Sequence, residues 1–263
     1  MQERNDVMKN FTFTVDDNIR VFKEIEKARP KSIFDHPYLA TYKRLHEKYD
    51  LKIQLNLFYE CEGFTLSDFT DDYLEEWKKA SEWLKLSFHS RIENINPYEF
   101  SDYTEVYEDC KRVNDEIIRF ASEKALAKTT TIHYCLATNE GVRALKDNGV
   151  LGLLGLYGKH QNPSVSYSRS EEETERIVEG ETVKTDNVAY AALDIVLNCH
   201  QKEKILSTLD SLYSRNLIKV MIHEQYFYSD YPCYQSDFEE KISAVFEALR
   251  KNGYVSVFFE EVI

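Results

Sequence analysis

Apolar runs rich in β-branched and aromatic residues alternate with helix-like segments along almost the whole chain, and this alternation limits the possible folds more than any other feature. Eight runs have the character of strands: residues 11–15, 51–58, 83–88, 129–132, 150–156, 193–197, 218–222 and 254–259. Helices are predicted between them at residues 37–49, 101–124, 139–148, 201–215 and 237–252. Strands that alternate with helices form βαβ units, so the sequence predicts an α/β fold whose parallel sheet closes into a barrel or stays open and doubly wound.

One long polar segment interrupts this alternation. No linker rich in proline, glycine or serine divides the 263 residues, so we expect one domain over residues 1–263. The segment 157–190 is polar and contains the acidic run Glu171-Glu172-Glu173. Connections of this length are usually functional or disordered. Because the segment follows a predicted strand, we expect an insertion that rises from the carboxyl edge of the sheet as a lid or rim hairpin, with a disordered excursion as the alternative.

Charge and composition exclude several classes of partner. The net charge of −13 argues against a nucleic-acid groove, which needs clustered Lys and Arg. No stretch approaches the length of an apolar membrane span, and the charged amino terminus lacks the apolar run of a secretory signal. The five cysteines show neither a disulfide framework nor a CxxC pair. We therefore expect a cytoplasmic protein with reduced thiols and no nucleic-acid or membrane partner.

Ionisable side chains stand directly after four of the predicted strands. They are Asp16 and Asp17 after the first, His89 with Glu93 after the third, His133 with Tyr134 after the fourth, and His223 with Glu224 after the seventh. Taken singly, the two aspartates could cap a helix, and each histidine could be a partly buried structural residue. Ligands of α/β folds, however, bind outside the carboxyl ends of the strands. Four such strand ends together predict a metal-assisted active site.

The chemistry of these residue types supports that prediction. Two adjacent carboxylates after a buried strand are costly unless something compensates them, and a divalent metal does so for one while the other serves as a general base. His89 and Glu93 are four residues apart, so they can share one face of a turn, and imidazole with a carboxylate oxygen suits Zn²⁺. The GxGxxG, GxxxxGK[ST] and GxSxG signatures of nucleotide sites and serine hydrolases are absent from the sequence.

Four segments resemble, in order, the motifs of the polysaccharide deacetylases of carbohydrate esterase family 4 and its relatives. Phe13-Thr14-Val15-Asp16-Asp17-Asn18 is similar to T-F-D-D-G, and His89-Ser90-Arg91-Ile92-Glu93 is similar to H-[ST]-x-x-H. Ile132-His133-Tyr134, followed by the helix at 138–145, resembles the R-x-P-[YF] strand end of the third motif. Met221-Ile222-His223, with the closing strand at 253–257, resembles the last motif, L-x-H. The resemblance covers residues 11–263.

This resemblance implies a barrel of seven or eight parallel strands and a role for each matching residue. Asp16 would be the general base, and His223 would be the general acid that protonates the leaving amine. Asp17 and His89 would bind one divalent ion, with Zn²⁺ expected. Glu93 stands where the family has its third ligand, a histidine.

The chain departs from the family pattern at several positions. His133 replaces an arginine that orients the base and could instead reach the metal, and Asn18 replaces a glycine. No counterpart of the tryptophan-containing fourth motif is evident near residues 193–198. Tyr134 and Glu224 are expected, with His133, to bind or orient the substrate. The chain therefore resembles a divergent member of the family.

The function that follows is metal-dependent hydrolysis of a non-peptide carbon–nitrogen amide bond. The expected substrate is a small molecule or oligosaccharide, with an N-acyl sugar favoured because no export signal is evident. A carbohydrate-binding or regulatory barrel that has lost catalysis is the alternative, favoured by Glu93 and the missing fourth motif. Metal-dependent glycoside cleavage on the same type of barrel is a third possibility.

Overall fold

A computed structural model describes residues 8–93, 98–157 and 166–263, and it contains alternating strands and helices. The strands are β1 (Lys9–Asn18), β2 (Ile53–Cys61), β3 (Phe64–Thr65), β4 (Leu84–Ile92), β5 (Thr129–Thr130), β6 (Gly152–Gly155), β7 (Val183–Thr185), β8 (Val188–Ala192), β9 (Ile195–Val196), β10 (Leu217–His223) and β11 (Tyr254–Ser256). The helices are α1 (Arg20–Ala28), α2 (Pro37–Tyr49), α3 (Leu74–Ala80), α4 (Tyr103–Ala121), α5 (Asn139–Asp147), α6 (Glu171–Val178), α7 (Lys202–Leu212) and α8 (Phe238–Lys251).

The parallel strands follow one another around a barrel. Strand β1 pairs with β2 on one side and with β10 on the other, and β4 pairs with the outer edge of β2. A parallel bridge between Leu86 and Leu126 leads from β4 to the second sheet, which continues through β5, β6 and β8. The chain then passes from β8 into β9, which pairs with β10.

The predicted barrel is thereby confirmed. If β8 and β9 are taken as one interrupted strand, β1, β2, β4, β5, β6, β8–β9 and β10 give seven parallel positions. Among the described residues, the backbone ladders form two sheets rather than one closed ring.

Strand β1 shows why the barrel has an apolar outside and a polar inside. Phe11 and Phe13 pack against Phe246 of α8, with ring centroids 5.4 and 5.0 Å apart. Because successive side chains of a strand point to opposite faces, Thr12, Thr14 and Asp16 face the barrel interior instead. The hydrophobic core therefore lies between the strands and the helices, and polar side chains from β1 are directed into the barrel.

Three helices, α1, α3 and α6, lie outside the predicted set. Helix α3 has only seven residues, too few for a clear periodic pattern. Helix α1 follows Ile19, whose side chain makes no capping hydrogen bond, and the two aspartates that could cap a helix lie before this N-cap position. Among the described helices, none is both long and apolar enough to cross a membrane.

The described part of the polar segment 157–190 is largely barrel wall. It contains α6, the antiparallel pair β7–β8 and most of β8, which is itself a barrel strand. The hydroxyl of Tyr167 donates to the carbonyl oxygen of Leu154 at 2.6 Å, and the Arg169 guanidinium lies 4.3 Å above the ring of Tyr190. Residues 171–187 thus belong to the connection between β6 and β8, and the expected lid or rim hairpin stays a prediction. Residues 158–165 of the segment lie outside the described part of the chain.

Candidate metal centre

The two adjacent aspartates are placed by an irregularity at the carboxyl end of β1. The pairing register between β1 and β2 shifts between Val15 and Asn18, and Asp17 has a φ of 65°. In a regular strand two neighbouring side chains point to opposite faces, but a bulge re-aims one of them. Aspartate is one of the few non-glycine residues that enter the left-handed region readily. The irregularity therefore lets Asp16 and Asp17 both contribute to the same edge of the barrel.

Asp17, His89 and His133 converge on one point above this edge. Asp17 Oδ1 lies 3.0 Å from His89 Nε2, and His133 Nδ1 lies 3.2 Å from His89 Nε2 and 3.5 Å from Asp17 Oδ1. The three potential ligand atoms all lie within 4.8 Å of one another. A carboxylate oxygen and two imidazole nitrogens form a donor set that suits Zn²⁺ and similar divalent ions.

Backbone carbonyl groups fix the tautomers of both histidines. His89 Nδ1 bonds to the carbonyl oxygen of Thr131, and His133 Nε2 bonds to the carbonyl oxygen of Glu93 at 2.9 Å. A carbonyl oxygen can only accept, so these two nitrogens carry the protons. In the neutral rings His89 Nε2 and His133 Nδ1 then present lone pairs to each other and to Asp17. Three acceptors that face one another require a cation between them, and outer carbonyls of this kind are how metal-binding histidines are usually oriented.

The pKa values of His89 and Asp17 are shifted by the close approach of carboxylates and imidazoles in the cluster. Burial opposes a charge on His89, but the carboxylates of Asp16 and Asp17 outweigh burial and raise the pKa of the imidazole. Burial likewise disfavours ionised Asp17, yet the neighbouring imidazoles of His133 and His89 hold its pKa well below the usual range. The site thus attracts positive charge, whether a proton or a metal ion.

Glu93 and Tyr134 lie beside the cluster without joining it through their side chains. Glu93 orients His133 through its backbone carbonyl, and its carboxylate is not among the three converging ligand atoms. Burial and the neighbouring Asp17 raise the pKa of that carboxylate. Tyr134 is 53% exposed and packs on His133 with ring centroids 4.0 Å apart. The geometry thus favours His133 over Glu93 as the third ligand and leaves Tyr134 accessible at the rim.

Asp16 is buried and is held by an amide that sequence analysis did not single out. Asn56 Nδ2 donates to Asp16 Oδ1 at 2.6 Å. The amide of Asn56 cannot reverse, because its Oδ1 accepts hydrogen bonds from Gln54 Nε2 and Ser87 Oγ. Burial raises the pKa of Asp16, while His89 and His223 oppose the rise. A buried carboxyl with a raised pKa and a fixed orientation has the properties of a general base.

His223 stands next to Asp16, since the two residues are paired in register between β1 and β10. Its Nδ1 bonds to Asn198 Oδ1 at 2.9 Å, so Nδ1 is the donor and Nε2 is left for another partner. Asn198 lies near the position where the family's fourth motif is missing, and its role could not be recognised from a motif.

The carboxylate of Glu224 is buried and is occupied by hydrogen bonds from the protein itself. Its carboxylate accepts hydrogen bonds from the backbone amides of Ile19 and Val21, at 2.7 and 2.8 Å, and from the hydroxyl of Tyr228. Burial raises the pKa of Glu224 to about 7, and these donors oppose the rise. Glu224 therefore orients the start of α1. Its expected contact with the substrate stays a prediction.

A cleft of about 480 Å³ opens beside the metal cluster. The residues that line it include Asp17, Gln225, Phe58, Arg20, Glu93 and Tyr231. Phe58 also packs edge-on against His89 and His133, with centroids 5.1 Å away from each. An apolar ring beside the ligands keeps water from them on that side, and the polar cleft can admit a small molecule.

Comparison with known proteins identifies the fold. The sequence matches no family model and no curated protein. A family 4 acetyl xylan esterase from Clostridium thermocellum, in complex with a cobalt ion, superposes with a TM-score of 0.54 at 12% identity over 96% of this chain and 89% of its own. A CE4 family pseudoenzyme from Bacillus anthracis gives 0.51 at 12% identity over 97% of this chain and 65% of its own.

A 4-alpha-glucanotransferase from Thermococcus litoralis has the same type of barrel, with a TM-score of 0.60 at 14% identity over 97% of this chain. The present chain spans only 40% of the length of that protein. Further carbohydrate deacetylases are among the similar structures. The chain is thus an α/β barrel of the type found in carbohydrate-active enzymes. More particularly, its fold is that of the carbohydrate esterase family 4 deacetylases, as the sequence motifs predicted.

Proposed function

We propose that this protein is a metal-dependent hydrolase that removes the acyl group from the amide nitrogen of a carbohydrate or a small N-acyl sugar. The convergence of Asp17, His89 and His133 carries the proposal, because their tautomers leave three acceptor atoms facing one another. The deacetylase fold supports the choice of reaction. The metal-binding acetyl xylan esterase supports a divalent ion, and the ligand set favours Zn²⁺ or Co²⁺.

The residues around the cluster have the positions that an amide hydrolysis needs. A divalent ion bound there would supply Lewis-acid polarisation of the acyl carbonyl. Asp16, held by Asn56, would accept a proton from the attacking water. His223 Nε2 would deliver a proton to the leaving nitrogen, because Asn198 occupies the other ring nitrogen. Acid and base thus come from paired positions on β10 and β1.

A carbohydrate-binding barrel without catalysis is the second candidate. His223 is held by the neutral amide of Asn198, which stabilises an imidazolium less than a carboxylate would. The similarity to a CE4 family pseudoenzyme shows that this fold also occurs without activity.

An acetate-release assay distinguishes the hydrolase from the carbohydrate-binding barrel. The substrates are a panel of N-acetylated mono- and oligosaccharides, each tested with Zn²⁺, Co²⁺ or Mn²⁺. We expect release by the wild type, and Asp16→Asn and His223→Ala should each lower it by roughly 10²–10⁴-fold. Both variants should retain the metal content of the wild type, since neither residue belongs to the ligand cluster. Sugar binding without release across the panel would support the non-catalytic barrel. Release that survives both substitutions would contradict the roles of Asp16 and His223.

A further inference from the structure

Gln225 is placed beside Asp17 by contacts that do not depend on its own side chain. It belongs to the 3₁₀ turn Glu224–Phe227 that follows β10. The preceding residue, Glu224, is anchored to the start of α1. After the turn, Tyr228 bonds back to the carboxylate of Glu224 and to the backbone carbonyl of Gln225. The backbone of Gln225 is therefore held in place, and its side chain can be changed without removing that support.

The side-chain amide of Gln225 has one permitted orientation. Its Nε2 donates to Asp17 Oδ2 at 2.7 Å. The reversed amide would place an oxygen against the carboxylate, with no proton between the two acceptors. The Oε1 atom is buried and makes no hydrogen bond to any described residue. An unpaired buried acceptor costs about 1–3 kcal/mol, so this orientation of the amide needs a compensating contact, which the hydrogen bond to Asp17 provides.

The two oxygens of Asp17 consequently have separate partners. Oδ1 faces the ligand nitrogens of His89 and His133, and Oδ2 is occupied by Gln225. A carboxylate with one oxygen held by a donor offers only the other to an ion. Binding through one oxygen matches the four-coordinate geometry of Zn²⁺, whereas larger ions with higher coordination numbers often take both oxygens.

We propose that Gln225 is a positioning residue that keeps Asp17 in a one-oxygen binding mode and thereby selects small four-coordinate ions over larger ones. This inference rests on the metal site of the proposed function. In this arrangement the neutral side chain of Gln225 sets the preference among ions, and Asp17 and the two histidines provide the ligands.

Metal titrations of Gln225→Leu and Gln225→Ala test this role. Both variants remove the hydrogen-bond donor to Asp17. Gln225→Leu keeps the volume of the side chain. Gln225→Ala leaves room for water and serves as the second variant if the leucine prevents folding. Gln201→Leu is the matched control, because Gln201 is exposed before α7 and its side chain makes no capping hydrogen bond. Dissociation constants are measured for Zn²⁺ and Mn²⁺, with circular dichroism as a check of folding and the visible absorption of bound Co²⁺ as a report of coordination number.

We expect the Gln225 variants to bind Zn²⁺ roughly 10–100-fold more weakly, the range found when a residue that orients a metal ligand is removed. Mn²⁺ binding should weaken less, so the preference for Zn²⁺ falls, and the Co²⁺ absorption should lose intensity as the coordination number rises. Wild-type Zn²⁺ affinity and an unchanged Co²⁺ spectrum in a folded variant would overturn the role of Gln225 alone. Equal losses for Zn²⁺ and Mn²⁺ would overturn the selectivity. A wild type that binds neither ion would overturn the metal site as well.

Discussion

Asp17 is the residue on which the proposed site depends most directly, because each of its oxygens has a defined partner. Its backbone adopts a left-handed conformation at a strand irregularity, and its carboxylate bridges between the histidines and Gln225. His133 and Glu93 compete for the role of third ligand. The ring nitrogen of His133 points into the cluster, whereas Glu93 reaches it only through the carbonyl that orients His133. Single substitutions can therefore separate the two.

His133→Ala should lower the affinity for Zn²⁺ far more than Glu93→Gln, because only the first removes a converging ligand atom. Glu93→Gln keeps the backbone carbonyl that holds His133, so we expect at most a small change. Zinc content after dialysis against a weak chelator, measured by elemental analysis, checks both variants. A larger loss in Glu93→Gln would restore the ligand set that the motif resemblance implied.

Metal binding should depend on pH because protons compete for the same atoms. The pKa of His89 is raised, so without metal this imidazole stays protonated to a higher pH than a free one. A metal ion must displace that proton, so affinity should increase as pH rises through the raised pKa. Zinc dissociation constants measured between about pH 6 and about pH 8, on either side of the ordinary histidine value, should show tighter binding at the alkaline end. A constant affinity over that interval would argue against His89 as a ligand.

Helix α1 shows how one element is held by a residue from the other end of the chain. Its first amides have no local cap, and the carboxylate of Glu224 accepts hydrogen bonds from Ile19, Arg20 and Val21. The same contact ties the end of β10 to the start of α1. Asp17 lies two residues before Ile19, and Gln225 directly follows Glu224. The contact between Glu224 and Ile19 therefore holds Asp17 and Gln225 close to each other at the carboxyl edge of the barrel.

Glu224→Ala should destabilise the fold strongly, because it leaves several buried amides and the hydroxyl of Tyr228 without an acceptor. At about 1–3 kcal/mol for an unsatisfied buried group, a loss of roughly 2–5 kcal/mol in the free energy of unfolding is expected. Urea denaturation measures it. Glu75→Ala is the control, since the Glu75 side chain is 78% exposed and its ion pair is with Lys78 on its own helix. Similar losses in the two variants would mean that the cap contributes little.

The whole barrel contributes to the site, since its residues come from strands on opposite sides of β1 and from the second sheet. Asp17 lies near the end of β1, His89 lies in β4, His133 follows β5, and His223 ends β10. An ion held by Asp17, His89 and His133 would connect elements that are distant along the chain. Binding should therefore stabilise the folded molecule as a unit.

The midpoint of thermal unfolding should rise when Zn²⁺ is added and fall when a chelator removes it. At a free concentration of one hundred times the dissociation constant, the gain is about 2.7 kcal/mol. For a chain of this size that corresponds to roughly 5–10 °C. His89→Ala should show almost no shift, because it lacks one of the ligands. An equal shift in the variant would indicate that zinc binds elsewhere on the protein.

The sequence by itself determined the alternation of strands and helices and the ends of strands that carry the ionisable residues, and the motif resemblance implied the barrel. These features depend on local periodicity and on short motifs, and both can be read within a few neighbouring residues. It did not reveal α1, whose cap lies about two hundred positions away in Glu224. It also did not reveal the wall strand β8, because the polarity of the exposed helix α6 before it obscured that strand.

Only the tertiary structure decided which residues surround the reactive groups. Asn56 is 40 positions from Asp16, and Gln225 is 208 positions from Asp17, yet each donates a hydrogen bond to its aspartate. The proposal of His133 over the carboxylate of Glu93 as third ligand likewise depends on a backbone carbonyl that fixes a ring tautomer. Strand register and the order of the strands around the barrel set these contacts. The amides of Asn56 and Gln225 belong to no sequence motif with a characteristic spacing. Their hydrogen bonds to the aspartates could therefore be found only from the folded structure.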